Sequence, residues 1–247
     1  MKKLMLCMIM AMLFMGIQFT ESCSVKGSKP KKDVRKAFEM RMNGKVDEAK
    51  ALLDSILEKD STNAMAWYEL ARLKQYMLVG GGDVKTTEIL ANINKAVVLE
   101  PKNVTYAYYK GIACFMNAFM VMQMGQGEVK DKIAETSAQF EKVLALKPDY
   151  HEARLYLVDI YGLLPPDMGG DSLKAALHAE KLSSMDTYFG SKAKAALAPE
   201  GTDLVKFWED LIAFDSQNAN LFMEQEEPAF IKRIQKMLKQ ILIKPSG

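Results

Sequence analysis

The sequence is poor in the residues that build disulfide frameworks and metal sites. It has three cysteines and two histidines in 247 residues, and that supply argues against a disulfide-stapled domain. His151 and His178 fall in different predicted helices with no third ligand in view, so we interpret them as surface or capping residues. Cys114 lies in an apolar segment and is expected to be a small buried hydrophobe. We therefore predict neither a metal site nor a cofactor.

Positive and negative charges are nearly balanced in the sequence. The formal net charge is +2, and no Lys/Arg cluster is interleaved with aromatic residues, so a nucleic-acid partner is not expected. Glycine and proline number 15 and 8, and alternating Val/Thr-rich runs are absent, which favours an all-helical protein. Beyond residue 22 no stretch is long and apolar enough to span a bilayer.

Catalytic signatures are missing as well. The sequence contains no GxSxG, HExxH or GxxxxGK[ST] motif, so a non-enzymatic protein is predicted. Two glycine-rich loops, residues 80–83 and 169–171, could present backbone N–H groups to an anion at a helix N-terminus. Neither loop carries a basic side chain, which favours plain interhelical turns.

The N-terminus has the pattern of a secretory signal peptide. Residues 1–22 begin with two lysines, continue with a Met- and Leu-rich apolar core, and end in small residues before Cys23. Export to a bacterial periplasm is predicted. A cysteine at this place resembles the acylation site of bacterial lipoproteins, so Cys23 is a lipidation candidate that would anchor the chain to the outer membrane. Plain cleavage, leaving a soluble periplasmic protein, is the alternative, and residues 23–29 are predicted to be a tether.

Residues 44–70 set the pattern for the rest of the chain. Apolar residues recur there at helical spacing through Ala49, Leu53 and Leu57. Residues 60–63, Asp-Ser-Thr-Asn, then stop this helix and offer N-cap side chains to a second helix that contains Trp67 and Leu70. The predicted unit is a helix, a tight turn and another helix.

This spacing resembles the tetratricopeptide repeat (TPR), a 34-residue helical hairpin. With Asn63 as the last residue of one repeat, Trp67, Leu70 and Ala71 take positions 4, 7 and 8 of the next. Similar repeat junctions recur at residues 99–103 and 146–150 with a proline, and at residues 183–187 and 213–218 without one.

The resemblance implies an all-α, TPR-like right-handed solenoid of about five helical hairpins with a C-terminal capping helix pair. A single domain over residues 30–247 is predicted. Its repeats are placed at about 30–63, 64–103, 104–150, 151–184 and 185–218, followed by terminal helices in 219–247.

In TPR folds, positions 2, 5, 9 and 12 of each first helix line the concave groove. Val34 and Phe38 stand where some chaperone-binding TPR proteins have the Lys and Asn of a carboxylate clamp, so binding of chaperone tails is not expected. Val34 and Phe189 also take groove positions. The resemblance predicts a partner- or ligand-binding groove formed by Phe38, Arg41, Tyr68, Arg72, Gln75, Tyr108, Ile112, Phe115, Leu155 and Asp159.

Two functions remain open. The first is an exported scaffold that binds a protein or peptide partner in its groove and touches a membrane only through a lipid anchor at Cys23. The second is a small-molecule (apolar or organic-acid) binding protein, because residues 164–180 resemble the P-x-x-x-G-G-D-x-x-K-A segment of the TRAP-transporter-associated TPR proteins, the T components. This second function predicts an apolar pocket walled by Tyr108, Phe115, Phe119 and Met122.

Overall fold

The computed structural model describes residues 32–124, 129–199, 201–204 and 206–207. These residues form nine α-helices and one 3-10 turn, Pro166–Met168, and contain no β-strand. The helices are α1 (Lys32–Met42), α2 (Val46–Lys59), α3 (Ala64–Val79), α4 (Thr86–Leu99), α5 (Val104–Gln123), α6 (Val129–Leu146), α7 (His151–Leu163), α8 (Ser172–Met185) and α9 (Thr187–Ala196).

The helices pack as successive hairpins. Within the described residues, α1 packs on α2, α3 on α4, α5 on α6 and α7 on α8, and each hairpin also contacts the next along the chain. In addition, α1 contacts α3 and α7 contacts α9, so first helices of neighbouring hairpins touch directly. The architecture is all-α and TPR-like.

Side-chain caps start the first helix of several hairpins. Asn63 accepts a hydrogen bond from the Ala66 N–H at 3.2 Å, and Asn103 accepts from the N–H groups of Thr105 and Tyr106 at 3.1 and 3.3 Å. These caps satisfy backbone donors that would otherwise have no partner in the first turn. The capping role predicted for residues 60–63 is thus met by Asn63.

The buried apolar side chains form a small N-terminal cluster and a larger central cluster. The N-terminal cluster includes Val34, Leu53 and Leu73, whereas the central cluster extends from α3 to α8. Trp67 is half-buried and packs against both clusters, and its indole N–H donates to the Ser61 carbonyl at 2.9 Å. A third group, Val158, Ala179, Leu182 and Ala193, joins α7, α8 and α9.

The backbone geometry of the turn between α7 and α8 requires glycine at two positions. Gly169 has a φ of 97°, in the left-handed region that glycine tolerates best. A side chain at Gly170 would collide with the Leu164 carbonyl oxygen, which lies 1.8 Å from the place of its Cβ. Asp171 then caps α8 by accepting from the Lys174 N–H at 3.0 Å. The segment that suggested a T component is a tight interhelical turn.

Several predicted segments fall wholly or partly outside the described residues. These are the signal peptide, Cys23, the tether and the terminal helices in 219–247. Of the fifth repeat, predicted at residues 185–218, the structure describes residues 185–199, 201–204 and 206–207.

Candidate functional site

The first helices of successive hairpins contact one another through polar and aromatic side chains. We call this surface the first-helix face, defined by residues 38, 41, 68, 69, 72, 75 and 109 at its N-terminal end and by residues 108, 150, 151, 156, 159 and 189 at its C-terminal end. It includes both half-buried and buried side chains. Candidate binding residues predicted from the sequence lie on both ends.

A charged cluster joins α1 to α3. The Arg41 Nε donates to Glu69 Oε1 at 2.6 Å, and both side chains are less than one-tenth exposed. Arg72 Nη1 lies 3.7 Å from the other oxygen, Glu69 Oε2. One carboxylate is therefore shared by two guanidinium groups, and the triad carries a net charge of +1.

Aromatic rings flank these guanidinium groups. Arg41 Cζ lies 5.2 Å from the centroid of the Phe38 ring, and Arg72 Cζ lies 5.6 Å from the same centroid and 5.4 Å from that of Tyr68. Both arrangements are within the range of cation–π attraction. The rings hold the two arginine side chains against the face that α1 and α3 share.

A buried hydrogen bond extends this cluster to α5. The Tyr109 hydroxyl donates to Gln75 Oε1, and Tyr109 also meets Tyr68 edge to face, with centroids 5.3 Å apart. Burial raises the pKa of Tyr109 well above its usual value, so the phenol keeps its proton and remains a donor. Gln75 and Tyr109 are thereby fixed within the structure.

The C-terminal end of the face is mainly aromatic. Tyr108 packs on Tyr150 with centroids 4.7 Å apart, and Phe115 meets Tyr156 at 5.5 Å. Tyr156 in turn stacks on Phe140 of α6. These ring contacts tie α5 to α6 and α7.

Asp159 is the charged residue of this aromatic end. Burial raises the pKa of its carboxyl to about 7, and the positive charge of Lys192 on α9 partly opposes the shift. Nearby, His151 and Phe189 are in ring contact at 5.1 Å. Asp159 is thus the half-buried acid of a largely apolar surface.

The predicted groove residues are not all available as surface. Ile112 and Phe115 are 7% exposed and belong to the interior of the hairpin stack, and Arg41 and Gln75 are 6% and 9% exposed. Position 12 of the first helix in the first three repeats, and position 9 in the third repeat, are thus buried within the stack of helices. The half-buried members of the predicted set are Phe38, Tyr68, Arg72, Tyr108, Leu155 and Asp159.

Sequence reasoning missed Glu69 and Tyr109. Neither occupies a groove position of the repeat, yet Glu69 organises both arginines and Tyr109 holds Gln75. The only sequence signal for Glu69 is its spacing of three residues before Arg72, which places the two on one helix face.

The histidine and cysteine side chains outside the first-helix face that were considered as metal ligands have partners within the protein. His178 lies 3.3 Å from Glu141 and from Arg154, and Cys114 donates weakly to Glu135 at 3.9 Å. Burial raises the Cys114 pKa to about 12. Among the described residues, no group of three or more His, Cys, Asp or Glu side chains is placed to hold a metal ion.

The N-terminus of α8, considered above for anion binding, is occupied by the Asp171 carboxylate. At α4 the Glu88 carboxylate accepts from the Lys85 N–H at 3.3 Å. Both helix starts after the glycine-rich loops are thus already supplied with negative charge. In the part of the chain that the structure covers, no helix is both long and apolar enough to cross a bilayer.

Comparison with known proteins identifies solved structures of similar fold. No protein-family model matches the chain, and a search of curated proteins gives no match. The crystal structure of TTC0263, a thermophilic TPR protein in Thermus thermophilus, is similar over 80% of this chain and 97% of that chain, at 14% identity and a TM-score of 0.54. Two MamA crystal structures, at 17% and 18% identity, cover 81% and 85% of this chain and 96% and 93% of their own, each with a TM-score of 0.49. The similarity to TTC0263, together with the helical hairpins described above, shows that the chain has a tetratricopeptide-repeat fold.

Proposed function

We propose that the protein is an exported, non-enzymatic TPR scaffold that holds a protein or peptide partner on its first-helix face. The single observation that carries this proposal is the cluster of Arg41, Glu69 and Arg72 with the rings of Phe38 and Tyr68. It joins two repeats and combines aromatic rings with charged groups. Arginine and aromatic residues are the types enriched at the energetic centres of interfaces.

Photo-crosslinking tests this function with a matched control on one helix. A photoreactive phenylalanine analogue replaces Tyr68, which is on the first-helix face, or Tyr76, which is 46% exposed on the same helix. We expect a polypeptide crosslinked from position 68 in intact cells and not from position 76. No crosslinked polypeptide at position 68, or equal yields at the two positions, would contradict the proposal.

Export belongs to the same proposal and rests on the sequence of residues 1–23. Acylation of Cys23 would place the chain in the membrane fraction with the mass of a lipid added, whereas plain cleavage would release it in soluble form. Cys23→Ser separates the two routes. Loss of membrane association in this variant supports a lipid anchor, and an unchanged soluble, unacylated chain supports cleavage alone.

The small-molecule alternative has one candidate location among the described residues, a partly open cleft. Its volume is about 380 Å³, within the size range of ligand pockets. It lies beside the start of α8 and is lined by Gly162, Leu163, Ser172, Ala175, Ala196, Leu197 and Ala198. None of the predicted wall residues Tyr108, Phe115, Phe119 and Met122 lines it, so this alternative requires a different site from the one expected.

Native mass spectrometry distinguishes the two functions. The mature chain is purified from its own host and measured without denaturation. A small nonprotein adduct that is lost in Ala198→Leu, a substitution at a half-buried residue that lines the pocket, would favour the small-molecule function. A bare chain, or one carrying another polypeptide, would favour the scaffold.

A further inference from the structure

The C-terminal end of the first-helix face holds a carboxylate that receives no hydrogen bond from a described residue. Asp159 of α7 is half-buried beside Tyr156. The raised pKa of its carboxyl, about 7, comes from burial and is opposed by the charge of Lys192 on α9, with no hydrogen bond contributing. The nearby aspartates differ, since Asp171 and Asp186 accept hydrogen bonds from backbone N–H groups at the starts of α8 and α9.

This carboxylate lowers the stability of the fold. A half-buried acid without a donor loses part of its hydration and regains no hydrogen bond. The folded chain therefore loses stability as the acid ionises with rising pH. Acidic residues of this kind are concentrated at functional sites, where a ligand can supply the missing donor.

The side chains around Asp159 suit a cation. Glu152, Tyr156 and Asp159 are spaced by four and three residues, so they lie along one face of α7. From α5, Tyr108 packs against Tyr156 with ring centroids 6.4 Å apart, and the charge of Glu152 acts on the Tyr108 phenol. Carboxylates attract a cation by charge, and aromatic rings attract it by their quadrupole. Glu152 is exposed and the other three are half-buried, so these side chains can be reached from solvent.

We propose that Glu152, Tyr156 and Asp159, together with Tyr108, bind the lysine or arginine side chain of a peptide segment of the partner. This inference rests on the proposed function, since it names the chemistry of the partner on the same face. Asp159 accepts a hydrogen bond from the ammonium or guanidinium group, and the two tyrosine rings contact its methylene stem. Glu152 stands at the exposed end and attracts the incoming charge.

The first test uses two peptide probes of equal length on the full mature chain. The probes are acetylated, amidated hexalysine and hexaglutamine, and dissociation constants are measured by calorimetry at pH 8 and low salt. Because a hydrogen bond between charged groups is formed with one probe only, we expect hexalysine to bind at least about 10-fold more tightly. Equal binding of the two probes, or no binding of either, would overturn the inference.

Asp159→Asn decides whether the preference depends on this acid. The substitution keeps the size of the side chain and removes its charge, so the preference for hexalysine should fall at least about 5-fold. Asp167→Asn, which removes an exposed carboxylate from the turn before α8, should leave it unchanged, and circular dichroism checks that both variants are folded. A preference that is kept in Asp159→Asn, or lost equally in both variants, would contradict the site.

The pH dependence of binding is a second readout. A protonated Asp159 carries no charge for the cation, so the preference should weaken several-fold from pH 8 to pH 6. Lys192 faces this carboxyl from α9 and Tyr156 from α7, and burial keeps the pKa of Tyr156 well above this range. Asp159→Asn should abolish the pH dependence, whereas His151→Gln, which removes another titratable group of the face, should preserve it. The opposite result for either variant would show that a different group controls binding.

A basic run of this chain is the competing occupant. It consists of Lys232, Arg233, Lys236 and Lys239. Binding of hexalysine only after all four are changed to Gln would assign the site to that run and overturn the proposal of a partner's peptide.

The two proposals also fail separately. A polypeptide crosslinked at position 68 together with equal binding of both probes leaves the scaffold standing without the cation site. Binding of hexalysine that depends on Asp159, without a crosslinked polypeptide at position 68, leaves the cation site standing without the scaffold.

Discussion

Phe140 of α6 lies flat against Tyr156 of α7, with ring planes 5° apart and centroids 4.6 Å apart. The same Phe140 ring closes over Gly111 of α5, where a Cβ atom would stand 2.6 Å from Phe140 Cε1. Three helices of two hairpins therefore meet at one fully buried ring, and glycine is required where that ring touches α5.

Gly111→Ala is expected to destabilise the protein by about 1–3 kcal/mol, because the added methyl group must displace the Phe140 ring. Urea unfolding measures the change. Gly80→Ala is the control, since its Cβ would meet nothing nearer than 3.4 Å. Gly111→Ala should cost less stability in a Phe140→Leu background than in the wild type, because the smaller leucine leaves room for the added methyl group. An equal cost in the two backgrounds would contradict the predicted collision.

Removal of one member of the buried Arg41–Glu69 pair should be far more costly than removal of both. Arg41→Met alone leaves a buried carboxylate short of its closest partner, with an expected loss of about 3–5 kcal/mol, whereas Arg41→Met with Glu69→Leu is expected to be closer to the wild type. Thermal and urea unfolding measure both. The exposed pair Lys50–Asp54, at 2.6 Å, is the control, and Lys50→Met should cost less than about 1 kcal/mol.

Equal effects of Arg41→Met and Lys50→Met would show that the charged cluster is not a buried structural unit.

Asp159 is expected to make stability fall as pH rises. Its carboxyl has a pKa of about 7 in the folded chain, against a usual value of 3.8. The folded state therefore binds more protons than the unfolded state between those values, and unfolding becomes easier as pH rises through that window. Asp159→Asn should raise the free energy of unfolding at pH 8 by about 1–2 kcal/mol, after allowance for the Lys192 charge and partial exposure, and change it little at pH 4.

Urea unfolding at pH 4, 6 and 8 checks this dependence. Asp167→Asn, which removes an exposed carboxylate from the turn before α8, is the matched control, and the gain for Asp159→Asn at pH 8 should exceed it. A gain that is the same at all three pH values would contradict the assignment of the effect to this carboxyl.

Trp67→Ala is expected to cost about 3 kcal/mol, near the lower end of the range for burying a large aromatic side chain, because the indole is half-buried. The substitution also removes the hydrogen bond to Ser61 and the Lys95 ammonium contact at 3.8 Å from the ring. Thermal unfolding measures it. An unchanged melting temperature would remove the basis for placing Trp67 at position 4 of a repeat.

The fold was largely predictable because its signals are local. Helical periodicity around Leu53, the stop and cap at Asn63 and the matching junction at Asn103 each follow from a few adjacent residues, and the structure confirms the all-α, TPR-like architecture. The cap of α8 is equally local, since Asp171 accepts a hydrogen bond from the N–H of Lys174, three residues further on.

The candidate site was less predictable because it depends on contacts between repeats. Position within a repeat indicates which way a side chain points, but not how deeply the surrounding helices bury it, as they do at Ile112 and Phe115. Glu69 and Tyr109 act across 28 and 34 residues of sequence, on Arg41 and Gln75. A repeat pattern contains no information about such pairs.

The division of the apolar interior at Trp67 has a consequence for how the molecule opens. The N-terminal cluster and the central cluster share this indole, and solenoids gain their stability from each unit and its nearest neighbours. Opening of the first hairpin would expose Leu70 and Leu73 of α3, which belong to the same cluster, and would break the buried pair of Arg41 and Glu69. We therefore expect amide hydrogens of α1 and α2 to exchange with solvent sooner than those of α5 and α6, and those of α3 to gain exposure in the same step.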